Sequence, residues 1–202
     1  MRLERSLHSA SEEQGPADHW RTVRNPVIGD EVTFVQTARE TGGDHTLARV
    51  VLKPGGGNPL HFHLTYAEEF EVVDGRLTIQ RDGERLVLGP GETAHAPIGS
   101  HHRFANDTDR PVTFLTTIRP PRRFEDQIRI AYGLARDGKT IRGGIPRNPL
   151  QLALLFEISE TYVPGLPLAV QRGIFGPLAR LAHRLGSERS LEKYLTGPSR
   201  DQ

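Results

Sequence analysis

Cysteine is absent from the 202 residues, so the chain can form no disulfide and offers neither a thiolate ligand nor a thiol nucleophile. Histidine, aspartate and glutamate are the common metal-ligating side chains that remain. An excess of charge of one sign is missing too. The 26 Lys and Arg nearly cancel the 25 Asp and Glu, and a net charge of +1 gives no global attraction toward nucleic acid or an anionic membrane. No run approaches the roughly 18–20 apolar residues that cross a bilayer, and the N-terminus carries no continuous apolar stretch of the secretory type. A cytoplasmic protein is the expectation. Internal repeats and low-complexity tracts are also missing. With 36% hydrophobic and 25% charged residues, the chain can bury one substantial core and carry an appendage.

What is present falls into three parts. Residues 1–23 are polar and mixed in charge, which suggests an N-terminal arm with a short helix near its start and Trp20 as an anchor on the next part. From 24 to 121 the pattern is β. Strands are expected at Glu31–Thr37, His45–Lys53, Pro59–His63, Glu69–Val73, Arg76–Arg81, Arg85–Leu88, Thr93–Ala96, His102–Ala105 and Val112–Arg119. Asp74-Gly75, Asp82-Gly83, Gly89-Pro90-Gly91 and Asn106-Asp107 punctuate them. Many short strands without intervening helices mean a sandwich or a barrel.

Residues 122–202 change period. Phe124–Arg136, Pro149–Val163 and Pro167–Leu185 carry apolar residues at helical spacing, and Ser187–Leu195 adds a final turn. Gly173, Gly176 and Pro177 are expected to break or kink the last long helix. This extension could cover the barrel or build a dimer interface, close over the barrel mouth as a lid, or attach to a membrane surface through Gly173–Leu185, whose arginines accompany apolar residues.

One stretch carries chemistry. In Gly55–Gly75, His61 and His63 are two residues apart, so on a strand they project from the same face, and Glu68 follows five positions on. Two imidazoles and a carboxylate converging on one face make a site for a divalent transition metal. A second stretch, Gly91–Asn106, places the turn Pro97-x-Gly99 just before His101 and His102.

Together the two stretches resemble the cupins. The first cupin motif, G-x5-H-x-H-x4-E-x6-G, is matched by Gly55, His61, His63, Glu68 and Gly75; the second, G-x5-P-x-G-x2-H-x3-N, by Gly91, Pro97, Gly99, His102 and Asn106. The short spacer from Arg76 to Pro90 is similar to that of single-barrel cupins. The resemblance implies a mainly β, single-domain jelly-roll barrel with a C-terminal α-helical extension. It also implies a metal held by His61, His63, Glu68 and His102, the ion being Fe, Mn, Ni, Co or Zn. His101, next to His102, should face away, and His95 and His45 are read as structural rather than cavity-lining. Glu69 should point outward if the strand register follows the motif. Phe70, Val72, Leu77, Ile79 and Phe104 are expected to line the barrel; Phe70 and Phe104, with Tyr66 as a hydrogen-bond donor, are the candidate substrate contacts.

The function implied is that of a metal-dependent, dioxygenase-type oxidoreductase, similar to quercetinase-like cupins, acting on a small organic molecule. Glu68 doubles in that reading as a base. A non-catalytic small-molecule sensor and an oxygen-independent isomerase or lyase are the alternatives. No nucleic-acid partner is expected, and the resemblance implies a homodimer.

Overall fold

A computed structural model describes residues 20–195. The helix expected near the start of the arm, together with His8 and His19, lies outside the described residues.

The strands are β1 (Thr22–Asn25), β2 (Asp30–Gln36), β3 (Thr46–Leu52), β4 (Phe62–His63), β5 (Ala67–Asp74), β6 (Leu77–Arg81), β7 (Glu84–Leu88), β8 (Thr93–Ala96), β9 (His102–Ala105) and β10 (Val112–Arg119). Six of them form one antiparallel sheet in the order β1-β2-β3-β10-β5-β8, and three form a second, β7-β6-β9. The late strand β10 inserts between β3 and β5, the non-sequential pairing of a jelly roll. The first strand starts at Thr22, inside the segment expected as an arm. The side chain of Asn25 makes the turn into β2 by accepting from the backbone N–H groups of Val27 and Ile28.

Alternation decides which side chains fill the barrel. In β10 Val112, Phe114, Thr116 and Ile118 point in; in β3 Thr46, Ala48, Val50 and Leu52 do; in β5 Glu68, Phe70 and Val72 do. These apolar groups meet Leu77, Ile79 and Leu88 of the smaller sheet in a single core. Burying each large one contributes about 1.5–3 kcal/mol, so a slip of one residue in β5 would turn Phe70 and Val72 to solvent. That penalty fixes the register and carries Glu68 inward with them. Asp82 and Gly83 both have positive φ, 49° and 87°, the backbone of the two-residue hairpin turn expected between β6 and β7. At Gly75 a Cβ would come within 2.9 Å of the carbonyl oxygen of Pro111, and the φ of 86° already disfavours a side chain.

The extension holds α1 (Phe124–Arg136), α2 (Pro149–Ser159), the short strand β11 (Thr161–Tyr162), α3 (Leu168–Arg184) and α4 (Arg189–Glu192). Helix α1 has two apolar faces. Phe124 and Tyr132 join the barrel core, while Ile130 and Leu134 pack with Leu154, Ala182 and Leu191 in a second cluster. Trp20 anchors on the same helix: the Arg129 guanidinium lies 5.2 Å from its ring centroid.

Two helix expectations are corrected. The segment 149–163 is not helical throughout. It leaves the helix at Glu160, whose φ is 48°, and Thr161–Tyr162 pairs antiparallel with β4. Arg122 holds the Glu160 carboxylate at 2.9 and 3.1 Å, and the Thr65 hydroxyl donates to it at 2.9 Å, so tertiary contacts fix the left-handed residue. Helix α3, for its part, runs unbroken through Gly173, Gly176 and Pro177. Pro177 and Gly173, the residue four back whose carbonyl loses its partner, are both exposed, so water can take the place of the missing hydrogen bond.

Candidate metal centre

The site is assembled where the two sheets close on each other. His61 and His102 form an isolated antiparallel bridge, each backbone N–H donating to the other's carbonyl at 3.0 and 2.8 Å. The turn of the second motif is tied to the first: Gly99, at φ 85°, donates its N–H to the His63 carbonyl at 2.7 Å. The proline-glycine turn thus places His102 against His61 and His63, and its spacing acquires a physical reason. Asn106, fully buried, is structural. Its amide donates to the carbonyls of Leu52 and Arg110, and its oxygen accepts from Thr108.

His61, His63, Glu68 and His102 are all buried, and one ligand atom from each lies within 4.8 Å of the others. Glu68 Oε1 is 3.1 Å from His63 Nε2 and 3.9 Å from His102 Nε2. Although buried, His63 Nε2 and His102 Nε2 have no hydrogen-bond partner among the described residues. All four groups thus converge on a common point, with Glu68 at its centre.

Outer contacts set the tautomers. His61 Nδ1 faces the Pro59 carbonyl at 2.8 Å and His102 Nδ1 the Ser100 carbonyl at 3.0 Å, so each Nδ1 carries a proton and each Nε2 is turned toward the cluster. For His63 the partner is the hydroxyl of Thr161, 3.3 Å from Nδ1. That hydroxyl donates to the Ser159 carbonyl at 3.2 Å and is therefore left to accept from His63. Burial, reinforced by the positive charge His63 and His102 would carry, pushes the His61 imidazole down to about 3, so it stays neutral. Burial opposes ionisation of Glu68, but the imidazoles of His102 and His63 outweigh it and hold the carboxyl below its ordinary range. The same contact works in reverse on His102: burial opposes the charge, but the Glu68 carboxylate raises its imidazole and favours the protonated ring, so an ion binding here would displace a proton to reach the lone pair it requires. The donor set fits a divalent transition metal and leaves two positions on an octahedral ion.

A cavity of about 270 Å³ opens from this cluster between the barrel and α1. Phe70 and Phe104 line it, as do Phe124, Ile128 and Tyr132 of the helix. The extension therefore supplies one wall. Tyr66 is a correction. It is buried behind His63, ring on ring with centroids 4.0 Å apart, and its hydroxyl donates to the Ser159 carbonyl at 3.2 Å. It supports a candidate ligand instead of reaching a bound molecule. Glu69, His95 and His101 are exposed, and His45 is held outside the barrel by Asp44 and Gln36.

Thr161 was not legible as part of the site, because it lies 98 residues from His63 in an extension without a motif. The sequence signal was the strand-favouring run Thr161-Tyr162-Val163, β-branched and aromatic, where a helix was expected to continue. Thr161→Val is expected to weaken divalent-metal affinity about 10–100-fold, the usual effect of losing an outer-shell partner, with Thr161→Ser restoring it. Competition against a chromophoric chelator measures this, and an unchanged affinity in the valine variant would remove Thr161 from the site.

A family model described as a cupin domain matches residues 48–118. Quercetin 2,3-dioxygenase of Bacillus subtilis is 34% identical over 87 residues, covering 42% of this chain and 25% of that one. An oxidoreductase of Arthrobotrys oligospora is 29% identical over 161 residues, covering 69% of this chain and 62% of its own. The chain thus spans from a quarter to about three-fifths of the length of these two relatives. Among solved structures, KdgF from Halomonas sp. overlays with a TM-score of 0.45 at 20% identity, covering 50% of this chain and 86% of that one. Among the described residues no helix is long and apolar enough to cross a membrane.

Proposed function

This chain belongs to the cupin superfamily through residues 48–118, and on that premise we propose that it is a metal-dependent oxidoreductase of the dioxygenase type acting on a small organic molecule. The observation that carries the proposal is the convergence of His61, His63, Glu68 and His102, with two partnerless Nε2 atoms, at the end of a largely apolar cavity. The similarity of the barrel segment to a quercetin dioxygenase and of a longer segment to an oxidoreductase supports the same class.

Bound to these four residues, a redox-active divalent ion would supply a Lewis acid and a site for dioxygen. The residues do the rest. His61, His63 and His102 aim their Nε2 atoms toward one point, kept there by Pro59, Thr161 and Ser100. Glu68, ionised and buried, is placed to accept the proton of a substrate hydroxyl. Phe70 and Phe104 shape an apolar chamber that orients an aromatic or aliphatic body and excludes water.

The test loads the purified protein with Fe(II), Mn(II), Ni(II) or Co(II) without oxygen, mixes it with a panel of phenols and 1,3-diketones, and admits air. Oxygen uptake matched by product supports the proposal. Turnover without oxygen uptake would reassign the centre to isomerisation or lysis, and tight binding without product would reassign it to a sensor.

A further inference from the structure

The polar groups of the cavity are not all at the metal cluster. Asp30 begins β2 and shares a register row with Leu52 and Val112, whereas Glu68 pairs with Ile118 near the opposite end of β10. Six residues of β10 separate the two rows, roughly 20 Å of strand at about 3.4 Å per residue. Both acids nevertheless line the same cavity. Asp30 is 5% exposed. The Tyr132 hydroxyl of α1 donates to its Oδ2, and its Oδ1 has no hydrogen-bond partner among the described residues. The nearby wall is apolar at Ile28, Val32 and Ile128, with Asn25, the cross-strand partner of Asp30, as its polar member.

A buried carboxylate oxygen without a donor is a standing cost, larger than the 1–3 kcal/mol typical of a neutral group left unpaired. If Asp30 served only to tie β2 to α1, one oxygen would suffice and a neutral amide would do it at lower cost. Burial pushes the carboxyl up to about 6 against the pull of the Tyr132 hydrogen bond and of Asp30's own backbone N–H, so the acceptor form still predominates at neutral pH.

We propose that Asp30 is a ligand-binding residue, forming a polar subsite at the end of the cavity away from the metal cluster. Its Oδ1 accepts a hydrogen bond from a hydroxyl or N–H group of an otherwise apolar organic molecule. Tyr132 is the positioning residue that aims the carboxyl by occupying the other oxygen. The substrate class this defines is an elongated molecule with a hydrocarbon or aromatic body and a hydrogen-bond donor at the end remote from the metal. The inference rests on reading the cavity as a substrate chamber, and it needs no metal to be tested.

Calorimetry on the full chain stripped of metal with EDTA compares 4-butylphenol, 4-butylanisole and butylbenzene. The three share a body; only the phenol has a hydrogen to donate. Wild-type protein is expected to bind the phenol at least about tenfold tighter than either of the others. In Asp30→Asn, which keeps the shape and an acceptor for Tyr132, that preference should fall to about twofold or less while butylbenzene affinity is unchanged. Equal binding of the three by wild type, binding of none, or a preference that survives in Asp30→Asn would each overturn the subsite. Should Asp30→Asn fail to fold, Asp30→Leu, an apolar residue of similar size, is read by the same phenol-to-anisole ratio, because Glu68 also lines the cavity and wild type alone does not tell the two acids apart. Failure here leaves the metal centre intact, and failure of metal loading leaves this comparison unaffected.

Discussion

Replacing His102 with alanine is expected to weaken binding of a divalent transition metal at least about a hundredfold, leaving less than stoichiometric metal after gel filtration. Loss of an outer partner alone costs 10–100-fold, and this variant removes a direct donor together with the ring that Ser100 aims. His61→Ala should behave in the same way, because it removes another imidazole donor of the cluster, one aimed by the Pro59 carbonyl. The metal-free variants should stay folded. The barrel core around Phe34, Phe114 and Leu77 does not include the four ligands. Elemental analysis of the freshly purified proteins, with circular dichroism beside it, reads both effects and also identifies the native ion. Full metal occupancy in both variants would mean that the ligands are misassigned.

The second large effect concerns Asp30 and pH. Its folded-state value, about 6, lies above the 3.8 of an unperturbed aspartate, so the folded protein holds this proton more tightly than the unfolded chain does. Well below 3.8 both states are protonated and the group costs nothing. As pH rises from 4 to 6 the unfolded chain ionises first, and stability falls by as much as about 3 kcal/mol before levelling. Tyr132, raised well above the usual phenol range by burial and by Asp30, does not titrate in this window. Asp30→Asn should therefore gain up to about 3 kcal/mol on wild type between pH 4 and pH 7. Urea melts of the metal-free proteins across that range measure the difference, and the other titrating groups cancel in the comparison. Parallel stability profiles for the two proteins would show that Asp30 is not held in an unfavourable ionised state.

Much of the site could be read along the chain because its parts obey local periods. His61 and His63 share a face by strand alternation, and the burial of Phe70 and Val72 chose Glu68 over Glu69. The hairpin at Asp82-Gly83 and the helix Phe124–Arg136 were equally local, one set by two residues with positive φ and the other by apolar spacing. Tyr66 misled for the opposite reason. Its neighbours along the chain placed it at the site, but the carbonyl that takes its hydroxyl proton belongs to Ser159. The helix break at Glu160 and the continuity of α3 through Pro177 were likewise settled by distant partners or by solvent.

The amino-acid sequence by itself determined the β-rich barrel, its turns and the four candidate ligands, because alternation, glycine backbone freedom and motif spacing act over a few residues. Only the tertiary structure decided that the extension walls the cavity, that Thr161 holds His63, and that Asp30 faces the same chamber as Glu68. Those relations join residues separated by tens of positions, and they depend on which surfaces hydrophobic burial brings together, which no local pattern encodes.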